Sequence, residues 1–163
     1  MRVLGLALLS AALVGCGFHL RGSGVEANVT SAYVRAGQNV TVNSEVTRIL
    51  RQSGVKILDS ETDAAVVIDL LDQQQVSRTV SYTDRATAAE SELNLRVHFK
   101  IVAAGGKVLI DDRWAHATRT YLIDTNNLVG SNQQAQLLTG ELLTDCAQQI
   151  IRGLSAATRV KPA

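Results

Sequence analysis

The sequence predicts an α+β fold: a two-layer sandwich in which a mixed sheet of four to five strands carries two helices on one face. Three observations predict it. Leu93, Leu95, Val97, Phe99 and Ile101 alternate with Glu92, Asn94, Arg96, His98 and Lys100, the period of a strand with one buried face. Apolar residues recur at helical spacing in two other places, first Val42, Val46, Ile49 and Leu50, then Ala135, Leu138, Leu142, Ala147, Ile150 and Leu154. The resulting order of strand, helix, strands, hairpin and helix leaves both helices to cover one side of a single sheet.

The elements follow in order. Val29 to Arg35 reads as a short first strand, and 39–53 as the first helix, with Gly54 placed where a helix stops. Val55 to Leu58 is a short apolar strand. Ala64 to Leu71 is a compact β-branched run suited to a buried strand, and Gln73, Gln74 and Gln75 lead from it into a second, half-exposed strand over Val76 to Tyr82. The alternating strand around 92–101 then turns at Gly105-Gly106, where both residues tolerate positive φ, and returns from Lys107 to about Tyr121 as a long or bulged strand. Trp114 and Tyr121 on that strand are expected in the core. Ser131 is expected to cap the last helix with Gln134 in the capping-box position, and the tail after Ser155 to fray.

A chain of 163 residues with 46% hydrophobic residues suits one domain. Aromatics make up only 4%, so the core rests on Ala, Val, Leu and Ile. The 16 Lys and Arg against 15 Asp and Glu produce no net field to hold a polyphosphate, which speaks against nucleic acid as a partner.

The amino end carries the most specific signal. Met1-Arg2 precedes an apolar run, Val3 to Val14, too short to span a bilayer as a mature helix and typical of an export signal. It ends in Leu13-Val14-Gly15-Cys16, with an apolar residue at −3, a small one at −1 and a cysteine at the cut. That is a lipobox, and Cys16 supplies the thiol that carries a thioether-linked diacylglycerol. Each buried methylene of the acyl chains adds about 0.8 kcal/mol, so the predicted lipid anchors the chain to a membrane without spanning it. The expected division is a signal peptide over 1–15, a lipidated start and Gly-rich tether over 16–28, one α+β domain over 29–156 and a flexible tail over 157–163. Cys146, among Leu142, Leu143, Ala147 and Ile150, reads as a buried free thiol rather than a nucleophile.

Signatures of nucleotide binding, of serine hydrolases and of zinc sites are absent. Asp111-Asp112 with His116 makes a poor metal site because consecutive strand residues face opposite sides. No catalytic residue, metal or cofactor is assigned. Arg96, His98 and Lys100 share the polar face of one strand, and Arg96 and Lys100 are candidates for an anionic ligand.

After the cysteine stands Gly17-Phe18-His19-Leu20-Arg21-Gly22. This start, with Ser53-Gly54-Val55-Lys56-Ile57-Leu58-Asp59 and the long last helix ending near Gln149-Ile150-Ile151-Arg152, resembles the lipopolysaccharide-assembly lipoprotein family LptE. The resemblance implies an outer-membrane lipoprotein on the periplasmic face that plugs the large β-barrel LptD, supports its assembly and helps insert lipopolysaccharide into the outer leaflet. It also implies a cationic residue in the loop between the middle strands, which falls on Arg85 within Thr83-Asp84-Arg85-Ala86-Thr87. A second basic position that the family can show before the last helix falls near Gly130 and Ser131, where no Lys or Arg stands. The alternatives are a lipid-anchored periplasmic adaptor of another secretion or peptidoglycan-linked complex, and a small periplasmic hydrolase.

Overall fold

The computed structural model describes residues 29–82 and 88–159. The predicted signal peptide, Cys16, the tether, Arg85 and residues 160–163 lie outside the described residues. Along the chain run β1 (Ser31–Ala36), α1 (Asn43–Gln52), β2 (Lys56–Ile57), β3 (Val66–Tyr82), β4 (Ala88–Ala103), β5 (Val108–Leu122) and α2 (Leu128–Thr158). The strands form one open sheet in the order β2-β1-β3-β4-β5. β1 is parallel to both neighbours, whereas β3, β4 and β5 form an antiparallel meander. This is the mixed α+β arrangement the sequence predicts.

Between the sheet and the two helices lies the core. Leu93, Leu95, Val97, Phe99 and Ile101 are all buried, as their alternation requires, and meet Leu142, Cys146, Ala147, Ile150, Ile151 and Leu154 of α2 in one cluster. Fully burying one such Leu or Ile side chain contributes about 1.5–3 kcal/mol. Val42, Val46, Ile49 and Leu50 extend the cluster beneath α1. That helix stops at Gly54, whose φ of +80° an L side chain rarely adopts.

The two strands expected over 64–71 and 76–82 are one strand, β3, with a bulge. Its pairing with β4 steps from Leu70↔Phe99 to Asp72↔His98 and leaves Leu71 without an opposite residue. The glutamines between the two halves are strand residues, and Gln73 and Gln75 have work on the helix side. Gln73 Oε1 accepts from the N–H groups of Thr41 and Val42, each at 3.0 Å, and its Nε2 donates to Thr41 Oγ1 at 2.9 Å. Val42 is the first residue before α1 and offers no side-chain cap; Gln73 satisfies its N–H, one of the orphan donors at that end, and the N–H of Thr41 before it. Gln75 Nε2 reaches Thr139 Oγ1 of α2 at 3.2 Å.

Gly105 and Gly106 form the predicted turn with φ of +81° and +85°. Past the turn, β5 is long and irregularly paired with β4 near Ile101. The expected cap of α2 is corrected by one turn. Asn127 caps the helix by accepting from Gly130 N at 3.0 Å, and Ser131 lies inside the first turn, its Oγ accepting from Asp124 N at 2.9 Å. At its far end α2 continues past Ser155 to Thr158, whose Oγ1 donates to the Leu154 carbonyl at 2.9 Å.

Candidate functional site on the outer face of the sheet

Both helices pack on one side of the sheet, so the even-numbered residues of β4 face away from them. β3 and β5 bring their own side chains into register beside these. Asp69, Asp72, Gln74, Val76 and Arg78 pair with Lys100, His98, Arg96, Asn94 and Glu92 on one flank, and Trp114, His116, Thr118 and Thr120 pair with His98, Arg96, Asn94 and Glu92 on the other. Arg96, His98 and Lys100 therefore share one face, as predicted. Arg85, the third candidate, lies outside the described residues.

Trp114 is the centre of this face and corrects the expectation that it belongs to the core. Its side chain stands opposite His98, and the two rings stack with centroids 4.6 Å apart and planes 9° apart. The Arg96 guanidinium carbon lies 4.5 Å from the indole centroid, a cation–π distance. On its other side His98 Nε2 lies 3.0 Å from Asp112 Oδ1, so Asp112 answers to His98 and not to His116. Ala115 and Ala117 turn toward the helices in place of Trp114. Tyr121 does pack partly against the core.

Toward β1 the face becomes an ion-pair cluster. Asp69, with a side chain only 7% exposed, lies 3.1 Å from Arg35 Nη1 and 4.0 Å from Lys100 Nζ. Arg35 also contacts Glu61 and lies over Tyr33 at 5.9 Å. Toward the other end, Arg78 Nε donates to Glu92 at 2.7 Å and Asn94 Nδ2 donates to it at 2.6 Å. These two hydrogen bonds, Arg78's the larger influence, hold the Glu92 carboxyl below its ordinary range. Asn94 Oδ1 accepts from Thr118 Oγ1 at 2.7 Å and meets His116 Nε2 at 3.1 Å. The face is thus a polar ladder with cationic groups at Arg35, Arg96 and Lys100, suited to binding a polar surface or an anionic group.

The β3–β4 hairpin runs far past Ala36, the last β1 residue that pairs with β3. Around that distal end Tyr82, Leu122, Leu128 and Val129 are exposed.

Cys146 is buried, and its thiol is pushed up to about 11, by burial first and by the Asp145 charge second. Among the described residues no group of three His, Cys, Asp or Glu is placed to hold a metal ion. Likewise among them, no helix is long and apolar enough to cross a membrane.

A family model described as LptE, lipopolysaccharide-assembly, matches residues 29–154. The chain belongs to the LptE family. A relative from Photorhabdus laumondii subsp. laumondii, an LPS-assembly lipoprotein LptE, is 27% identical over 154 residues, covering 93% of this chain and 82% of the relative. Among solved structures, a lipoprotein B from Nitrosomonas europaea superposes with a TM-score of 0.74 at 23% identity, over 87% of this chain and 92% of that one. The rare lipoprotein B from Shewanella oneidensis superposes at 0.67 with 22% identity, over 77% and 94%. At such identities these two structures establish the LptE-like fold alone.

The residues that sequence reasoning missed are Trp114, Asp112, Asp69 and Arg35. For Trp114 a signal was present: it shares its period with His116, Thr118 and Thr120, all polar, whereas the alternate positions Ala115 and Ala117 are apolar.

Proposed function

We propose that this LptE family member is a non-enzymatic, lipid-anchored component of the outer membrane on its periplasmic face. It plugs the β-barrel LptD, supports its assembly and helps pass lipopolysaccharide to the outer leaflet. The observation that carries this reading is the polar ladder on the sheet face turned away from α1 and α2. A body seated in a water-filled barrel needs a folded exterior rich in hydrogen-bonding side chains, and here Gln74, Asn94, His116 and Thr118 provide one across three strands. The amino end supports the anchor, since Cys16 closes a lipobox, the motif whose cysteine takes a thioether-linked diacylglycerol and an amide-linked acyl chain such as palmitate. Arg85, Arg96 and Lys100 are assigned to the lipid A phosphates, for which forked or mobile cationic donors are suited.

Affinity purification of the tagged full chain from detergent-solubilised outer membranes tests the partnership. A large barrel recovered in equal amount is the expected result, and its absence overturns the plug. A different envelope complex in its place would favour the adaptor role. For the ligand, Arg85→Glu and the pair Arg96→Glu/Lys100→Glu are expected to weaken capture of lipopolysaccharide while keeping the barrel. Unchanged capture by both variants removes these residues from the assignment.

A further inference from the structure

β5 is an edge strand of fifteen residues, yet the middle of its edge is not open. Gln149 of α2 reaches over it with both ends of its amide. Its Nε2 donates to the His116 carbonyl at 2.8 Å, and its Oε1 accepts from the His116 N–H at 3.2 Å. One residue of a neighbouring antiparallel strand makes the same two-bond exchange. Two residues on, where the strand's outward groups recur, Arg119 Nη1 donates to the Thr118 carbonyl at 3.0 Å. Arg119 is itself held by α2, with Nη2 at 2.5 Å from Asp145 and Nε at 3.2 Å from Glu141. The side chains of α2 therefore stand, directly or through Arg119, where a sixth strand would hydrogen-bond.

A long edge is a template for further strands and usually needs Lys, Pro or brevity to blunt it. β2, the opposite edge, is two residues long and too short to serve as a template. The first half of β5 is blunted by Asp111, Asp112 and Arg113 and by its irregular register against β4, but from Ala115 to Leu122 it carries one charged residue, Arg119, and that residue is turned into the hydrogen-bonding role just described. We propose that Gln149 and Arg119 form an edge guard that keeps β5 from pairing with β5 of a second copy of this chain. In a solution of one protein, the complementary long edge is the same strand of another molecule. The guard holds the protein single until a partner or a mutation lifts it.

Sedimentation of the full chain in detergent micelles tests the guard. The unsubstituted protein is expected to sediment as one chain per particle. Arg119→Ala/Gln149→Ala is expected to raise the dimer fraction at least tenfold at the same concentration, with amide exchange over 114–120 slowing as concentration rises. Adding His116→Pro removes the outward N–H that a new strand needs and is expected to restore single chains. A double variant that sediments like the parent overturns the proposal, as does a dimer that survives His116→Pro. Should circular dichroism show the double variant unfolded, Gln149→Leu keeps the side-chain volume and removes only the amide. It is expected to dimerise to a smaller extent, and failure to do so is equally decisive.

Discussion

The indole of Trp114 lies parallel to the imidazole of His98, with centroids 4.6 Å and planes 9° apart, on the side of the sheet that faces away from α1 and α2. Arg96 shares the same indole. Stacked and cation–π pairs of this kind contribute about 0.5–1.5 kcal/mol beyond area burial. Trp114→Ala is expected to lower stability by about 1–2 kcal/mol in urea denaturation. Because Trp114 is the single tryptophan, His98→Ala should also shift intrinsic emission to the red. Emission unchanged in that variant would show that the stack does not exist in solution.

Gln73 reaches from β3 to the residues that lead into α1, binding the N–H of Val42, at the N-cap position, and that of Thr41 just before it. A hydrogen bond of this kind contributes about 0.5–1.5 kcal/mol. Gln73→Ala is expected to fall in that range by urea denaturation, with faster amide exchange at Thr41 and Val42. Gln74→Ala, on the other face, should stay within about 0.5 kcal/mol of the parent. Equal losses for the two would remove the cap from the account.

These two residues mark where local pattern stops being informative. The alternation of β4 was legible because each odd residue meets a helix and each even one faces away from it. The Gly105-Gly106 turn was legible because few other pairs tolerate positive φ twice. Gln73 and Gln75 were not, since low strand propensity says nothing of a side chain that caps a helix some thirty residues earlier in the chain or bridges to Thr139. Trp114 was misplaced because its size argues for burial, while its position opposite His98 decides for the outer face. Asp69 and Arg35 meet only through the parallel pairing of β1 with β3, a long-range register that no short window encodes. Of the candidate site, Arg96 and Lys100 were read correctly onto one face, but what holds each of them was not.

Gly37 faces the bulge at Leu71. Its N–H donates to the Leu70 carbonyl at 2.8 Å, and a Cβ at this position would stand 2.8 Å from the Leu71 carbonyl oxygen. Backbone cannot withdraw as a flexible side chain can. Gly37→Ala is therefore expected to destabilise by about 1–3 kcal/mol, the usual cost of overpacking, rather than to stabilise through lower chain entropy. Gly140→Ala, in the open and within α2, provides the contrast and should gain up to about 1 kcal/mol. Thermal melts of the two variants moving in the same direction would contradict this reading of the bulge.

Cys146 is a packing residue whose chemistry is suppressed by its surroundings. The thiol is raised from 9.0 to about 11, mainly because burial disfavours the thiolate. Between those two values the unfolded chain has lost the proton and the folded chain still holds it, so stability falls as pH rises from 9 toward 11 and levels off above. Cys146→Ala should lose that alkaline slope while costing packing at neutral pH. At neutral pH the same shift cuts the thiolate fraction about a hundredfold. A thiol reagent should accordingly label the native protein at least about a hundredfold more slowly than the denatured one. Cys16, if it carries the predicted thioether, contributes no reactive thiol in either state. One slow phase in the native full chain is the expected trace, and a second, fast phase would count against the lipid anchor rather than against the buried site.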